Sequence, residues 1–157
     1  MTVSFSDAEL QQIEQLKSRY PESKAAIMPV LWMAQQKFGW LSEDVMRLVG
    51  DVMALPYAHV KGVATFYTMY FKKPMGKHHV QVCTNVSCML RGGEQLLNHV
   101  MHRLNVRNNE ATADGVFSLE EVECMGACGG APMVAINEQF YENISQEELD
   151  RLLSSLS

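Results

Sequence analysis

Cys83 and Cys88, with Thr-Asn-Val-Ser between them, and Cys124 and Cys128, with Met-Gly-Ala between them, are the only four cysteines in the chain. Thiolates in close pairs serve as metal ligands, as redox dithiols or as disulfide partners. Structural disulfides suit small exported domains rather than a chain of this length. A redox dithiol usually has two residues between its cysteines, and neither gap here matches. Four unrelated buried cysteines would rarely fall into two tight pairs. Metal binding is the chemistry the spacing favours over these three.

Two metal readings stay open on spacing alone. Zinc held by four cysteines is common, and its hooks separate paired cysteines by about two to four residues, a range that includes both gaps. An iron–sulfur centre is favoured by two features. Both gaps are wider than the two-residue hook that grips a single ion, and Gly126, Ala127, Gly129 and Gly130 allow backbone N–H groups to approach bridging sulfides. An oxidised [2Fe-2S] centre with four thiolates sums to two negative charges, and one-electron reduction makes three. Oriented amides offset such charge, and small residues let them come close.

The elements that must hold these pairs are legible around them. His79-Val-Gln-Val-Cys83 alternates and reads as a strand ending on Cys83. Gly115-Val-Phe-Ser-Leu-Glu-Glu-Val-Glu123 reads as a second strand that delivers Cys124 to its end, each cysteine pair then lying in a short loop. Two such strands side by side would bring four thiolates together. Between them, Gly92 and Gly93 precede a helix whose inward stripe is Leu97, Val100, Met101 and Leu104. Pro132-Met-Val-Ala-Ile136 and Phe140-Tyr141 predict a hairpin turning near Asn137-Glu138-Gln139. Ser145-Gln-Glu-Glu148 is a capping box opening a last helix with Leu149, Leu152, Leu153 and Leu156 inward. The order strand, helix, strand, strand, strand, helix is α/β, with no internal repeat.

Before this lies a helical region. Ser6-Asp-Ala-Glu9 is a second capping box, followed by Leu10, Ile13, Leu16 and Tyr20 at helical spacing until Pro21. Ile27, Val30, Leu31, Ala34 and Phe38 form the next stripe, ending at Gly39, with Pro29 predicting a kink or a start later than Ser23. Ser42 caps a helix carrying Val45, Leu48, Val49 and Val52, and Pro56 suits the first position of a fourth, through His59, Val60, Val63 and Phe66. The aromatic run Thr65-Phe-Tyr-Thr-Met-Tyr-Phe71 is either core or a surface for another subunit, and core is the better expectation. Lys72-Lys-Pro-Met-Gly-Lys77 is polar with a proline and a glycine. It divides a helical domain, residues 1–75, from an α/β domain, residues 76–157.

Composition excludes several functions. With 157 residues the chain can bury a sizeable core without covalent staples. A net charge of −5 argues against nucleic acid, whose phosphates select a basic face, and against anionic membranes. No apolar run is long enough to span a bilayer, so membrane association is expected only through partners. The N-terminus carries no export or import pattern, and a reducing cytoplasm is the expected compartment. No Gly-x-Gly-x-x-Gly turn or phosphate loop is present, so nucleotide chemistry is expected elsewhere.

Gly62-Val-Ala-Thr-Phe-Tyr67, the Cys83 and Cys88 pair, the stretch from Asp114 to Cys128, Ala131-Pro-Met-Val-Ala-Ile-Asn137 and Lys37-Phe-Gly-Trp-Leu41 together resemble the 24-kDa subunits of respiratory complex I. The likeness covers nearly the whole chain, with every motif cysteine present. It implies a thioredoxin-like [2Fe-2S] ferredoxin domain behind an N-terminal helical bundle, with Cys83 and Cys88 on one iron and Cys124 and Cys128 on the other. It also implies an electron-transfer subunit of NADH:quinone oxidoreductase in the peripheral arm of a membrane-bound complex. Its partner would be a flavoprotein subunit holding FMN and the NADH site, and the chain alone would turn over no substrate. Related modules serve NAD-linked hydrogenases and formate dehydrogenases, and a zinc-stabilised interaction module is the rival from another class.

Other residues invite hypotheses. His78 and His79 lie near Cys83, and two histidines replace cysteines in Rieske centres. With four cysteines already paired, a surface or strand-end role is expected for both, and a structural or solvated one for His59, His99 and His102. Glu120, Glu121 and Glu123 read as a solvated strand face whose charge could also lower a nearby potential. Met125 could shield sulfide from water. Pro132 stands where thioredoxin-like folds often keep a cis proline.

Overall fold

The computed structural model describes residues 3–156 and divides into two compact units, Met1–Pro74 and Met75–Ser157.

The first unit is built from four helices. Helix α1 (Asp7–Lys17) starts at the anticipated capping box: the Glu9 N–H donates to Ser6 Oγ at 3.4 Å, and the Ser6 N–H donates to the Glu9 carboxylate at 2.7 Å. A 3₁₀ turn (Ser23–Ala26) leads into α2 (Ile27–Phe38), so Pro29 falls in the first turn, where its missing N–H costs no intrahelical bond. Helix α2 ends at Gly39 in the left-handed conformation, and α3 (Glu43–Met53) begins with the Val45 N–H donating to Ser42 Oγ at 3.2 Å. Helix α4 (Tyr57–Phe66) follows, with Pro56 preceding it as the cap rather than occupying its first position. Ile13, Val30, Leu31, Ala34, Leu41, Val45, Val49, Val60 and Ala64 meet in one core. Each fully buried aliphatic side chain of the larger kind contributes about 1.5–3 kcal/mol.

The aromatic run after α4 departs from expectation. Phe66 is 79 % exposed, Tyr67 and Met69 are also exposed, and only Tyr70 is buried. The reason is local. Phe66, the last residue of α4, lies on the face away from the buried Val60 and Ala64, and the chain then leaves the helix at Tyr67 in an extended conformation. Two interior groups then fasten the tail. Gln35 donates to the Met69 carbonyl at 2.9 Å and accepts the Phe71 N–H at 2.6 Å, while the Tyr70 hydroxyl donates to the Met28 carbonyl at 2.9 Å.

The second unit is a four-stranded sheet in the order β2-β1-β3-β4. Strands β1 (His78–Cys83) and β2 (Phe117–Val122) are parallel, in a register that sets His78 opposite Phe117 and Cys83 opposite Val122. Strand β3 (Met133–Ile136) is antiparallel to β1 and turns at Asn137 into β4 (Gln139–Glu142). Two features occupy the crossover from β1 to β2: a short helix α5 (Val86–Leu90), absent from the sequence reading, and α6 (Gly93–Leu104). Helix α7 (Gln146–Leu156) closes the unit, its capping box formed between Ser145 and Glu148. One sheet face, with Val80, Val82, Leu119, Val134 and Ile136, packs with Leu96, Leu97 and Val100 of α6 and Leu149 and Leu153 of α7. Leu96 thus belongs to the buried stripe, with Met101 and Leu104 at its margin. Strand alternation sends His79, Gln81 and Cys83 to the opposite face, with Ser118 and Glu120 beside them. Among the described residues no helix is long and apolar enough to cross a membrane.

Candidate metal centre

All four cysteines are free thiols, and the parallel pairing of β1 with β2 brings both pairs to the same end of the sheet. Cys83 is the last residue of β1. Cys88 lies within α5 rather than in a loop, because the Asn85 side chain accepts the Val86 N–H at 2.8 Å and caps a helical turn there. The second pair follows the end of β2: Cys124 stands two residues beyond Val122, and Cys128 opens a 3₁₀ turn (Cys128–Gly130).

The two pairs have different surroundings. Cys83 and Cys88 are each 3 % exposed and share an apolar cluster with Ala131 and Met133, against which Met125 and Ala127 pack. Cys124 and Cys128 are exposed. Burial, then a hydrogen bond with Cys83, pushes the Cys88 thiol up to about 11, and a bond from the Met133 N–H opposes the rise. The Cys83 and Cys128 thiols add a further upward push, so three of the four sulfurs act on one another electrostatically. A thiol so placed ionises when a bound cation offsets its charge.

Two glycines shape the site. A Cβ on Gly93 would lie 2.7 Å from the Cys83 carbonyl oxygen and 3.0 Å from the Cys88 carbonyl carbon and oxygen, so only glycine lets α6 begin directly against both cysteines. Gly126 has φ +74°, a conformation that side chains rarely adopt, and its N–H donates to Cys124 Sγ at 3.3 Å. Of the amides expected to face a centre, that of Gly130 is taken by the Ala127 carbonyl at 3.0 Å.

Among the described residues no three His, Cys, Asp or Glu side chains gather as the ligands of one ion must. One pair is enclosed and the other exposed. Four thiols at one end of one sheet are the donors that a two-iron, two-sulfide centre takes. Small residues line the second pair, and an amide N–H is directed at a sulfur in each.

The remaining candidates separate clearly. His79 lies at the start of β1, as a strand-end residue, but is buried rather than at the surface: its Nδ1 meets Ser118 Oγ and its Nε2 the Glu120 carboxylate, both at 2.9 Å. Gln81 donates to the same carboxylate at 2.9 Å. Glu120 is accordingly half-buried and hydrogen-bonded, not part of a solvated face, because the β1–β2 register sets it opposite Gln81. Glu121 is exposed and accepts from Thr84 and Asn108, and Glu123 is exposed beside Cys124. His99 meets Asp150 at 2.9 Å, whereas His59 and His102 are exposed. The Ala131-Pro132 bond is cis.

Comparison with known proteins agrees with this site. The family model described as thioredoxin-like [2Fe-2S] ferredoxin matches residues 13–157. A NADH-quinone oxidoreductase subunit from Rickettsia bellii is 39% identical over 98% of this chain and 93% of its own length. A NADH-quinone oxidoreductase subunit from Rhizobium meliloti is 41% identical over 92% of this chain and 86% of its own. In fold, an NAD+-reducing [NiFe]-hydrogenase structure in the H2-reduced state superposes with a TM-score of 0.70 at 21% identity, covering 80% of this chain and 22% of that one.

Proposed function

Since the chain belongs to the thioredoxin-like [2Fe-2S] ferredoxin family, we propose that it is the electron-transfer subunit of an NADH:quinone oxidoreductase and that Cys83, Cys88, Cys124 and Cys128 hold its cluster. Cys83 and Cys88 bind one iron and Cys124 and Cys128 the other. The observation that carries this reading is the parallel pairing of β1 with β2, which brings two thiol pairs to one end of a single sheet. The cluster supplies one-electron redox chemistry.

The chain's own residues do the rest. Ala131, Met133 and Met125 exclude water from the Cys83 and Cys88 side. The Gly126 N–H bonds to Cys124 Sγ and the Met133 N–H to that of Cys88, each offsetting thiolate charge. Gly93 lets α6 seat both Cys83 and Cys88 without displacement.

The partner in electron exchange is a flavoprotein subunit that holds FMN and binds NADH, and the complex is the peripheral arm of a membrane-bound enzyme facing the cytoplasm. The ferredoxin domain begins at residue 76, and the helical domain, residues 1–75, serves as a docking arm. The NADH-quinone oxidoreductase relatives, at 36–41% identity, favour this parent over the hydrogenase, whose likeness at 21% identity concerns the fold.

Co-expression with an FMN-binding subunit tests the proposal. The expected result is a stable complex in which NADH bleaches the cluster's visible absorption, while the chain alone does not respond to NADH. A chain that never co-purifies with the flavoprotein, or whose absorption NADH leaves unchanged in the complex, overturns the assignment.

A further inference from the structure

We infer that the two thiol pairs have unequal roles: Cys124 and Cys128 hold the iron on which the transferred electron resides and from which it leaves, and Cys83 and Cys88 anchor the cluster. This rests on the ligand pairing proposed above.

One-electron reduction converts one of two ferric ions to ferrous. It makes and breaks no covalent bond, requires no proton and adds one negative charge. Where that charge settles depends on which end of the cluster stabilises it better. Both thiol pairs receive a backbone N–H, from Met133 to Cys88 and from Gly126 to Cys124, so amide donors do not distinguish them. Solvation does. Cys83 and Cys88 are 3 % exposed and packed with Ala131 and Met133, whereas Cys124 and Cys128 are exposed.

An apolar enclosure penalises added negative charge, and Ala131 and Met133 enclose Cys83 and Cys88. Glu123 adjoins Cys124 and opposes the extra charge there. It is exposed, however, and solvent and salt screen it, whereas the enclosed side has no such relief. Electron transfer also needs close approach to the metal that carries the electron, and the open pair is the side a redox partner can reach.

The test is proton NMR of the intact protein, loaded with its cluster and reduced by dithionite. Ligand β-protons on the ferric ion show large shifts that fall on warming, and those on the ferrous ion show smaller shifts with the opposite temperature dependence. Nuclear Overhauser contacts assign them, through Ala131 and Met133 for the enclosed pair and Gly126 for the open pair. Ferrous-type signals from Cys124 and Cys128 are expected. Ferrous-type signals from Cys83 and Cys88, or four signals of one kind, overturn the inference and leave the ligand assignment standing.

A cysteine with no shifted signal overturns the ligand assignment and this inference together. As a second measurement, midpoints are compared for the minor fraction of Cys124→Ser and of Cys83→Ser chains that keeps a cluster. The harder oxygen ligand stabilises the ferric state, so the midpoint falls further for Cys124→Ser. An equal or larger fall for Cys83→Ser contradicts the inference.

Discussion

Gly93→Ala isolates the packing of α6 against the cysteine-bearing segments. The added Cβ would meet the Cys83 carbonyl oxygen at 2.7 Å and the Cys88 carbonyl carbon and oxygen at 3.0 Å, and all three are backbone atoms that cannot swing aside. Overpacking of this kind costs about 1–3 kcal/mol, while alanine in a helix recovers at most ~1 kcal/mol over glycine. The net expectation is a loss of about 1–2 kcal/mol, or a fall in Tm of about 2–8 °C, by thermal unfolding followed with circular dichroism. Because the displaced atoms belong to Cys83 and Cys88, iron and acid-labile sulfide per chain should fall as well.

Gly62→Ala is the control. It lies within α4 with nothing within 4 Å of its Cβ position, so the same substitution should raise stability by about 0.5–1 kcal/mol. A Gly93→Ala protein with wild-type Tm and full iron content would refute the packing argument.

Cys83→Ser or Cys128→Ser should cost most of the bound iron and sulfide, measured chemically and by visible absorption, since each iron needs both its thiolates; full retention contradicts the ligand assignment. Ser42→Ala removes the acceptor for the Val45 N–H and should destabilise the helical unit by about 1 kcal/mol in urea titration. The Lys37 ammonium, followed by the Ser6 donors, lowers the Glu9 carboxyl from 4.5 to about 2. A depressed folded pKa means stability that is present above about pH 4.5 and lost as the pH falls toward 2. Glu9→Gln should therefore be less stable than wild type at neutral pH, with the difference closing across that window in acid-denaturation curves; a difference independent of pH contradicts it. Glu123→Gln should raise the midpoint potential in an EPR-monitored titration, more at low than at high salt, and an unchanged midpoint sinks the electrostatic reading.

What was legible in the sequence was local. Ser6, Ser42 and Ser145 announced their helices because a cap and its target amide lie three residues apart. The cysteine pairs were equally plain, being separated by only a few residues, and strand alternation placed Cys83 at a strand end. What escaped depends on partners distant along the chain. His79 meets Ser118 and Glu120 across 39 and 41 residues, and nothing short of the β1–β2 register links them. The same register took Glu120 out of solvent. Helix α5 is five residues long, too short for a hydrophobic period, and only Asn85 hinted at it. Phe66 and Tyr67 looked like core because they belong to an apolar run, yet Phe66 falls on the α4 face away from Val60 and Ala64, and the chain turns extended at Tyr67 and fastens Tyr70 inside instead. The unequal exposure of the two thiol pairs was invisible at sequence level, since neither short segment is long enough to show a hydrophobic period.

The central claim, a two-iron cluster on four cysteines, is tested most directly by metal analysis and EPR of the purified protein. The account predicts a reddish-brown protein with two irons and two acid-labile sulfides per chain, EPR-silent when oxidised and giving a rhombic signal after one-electron reduction. A colourless protein holding one zinc on the same cysteines would contradict it.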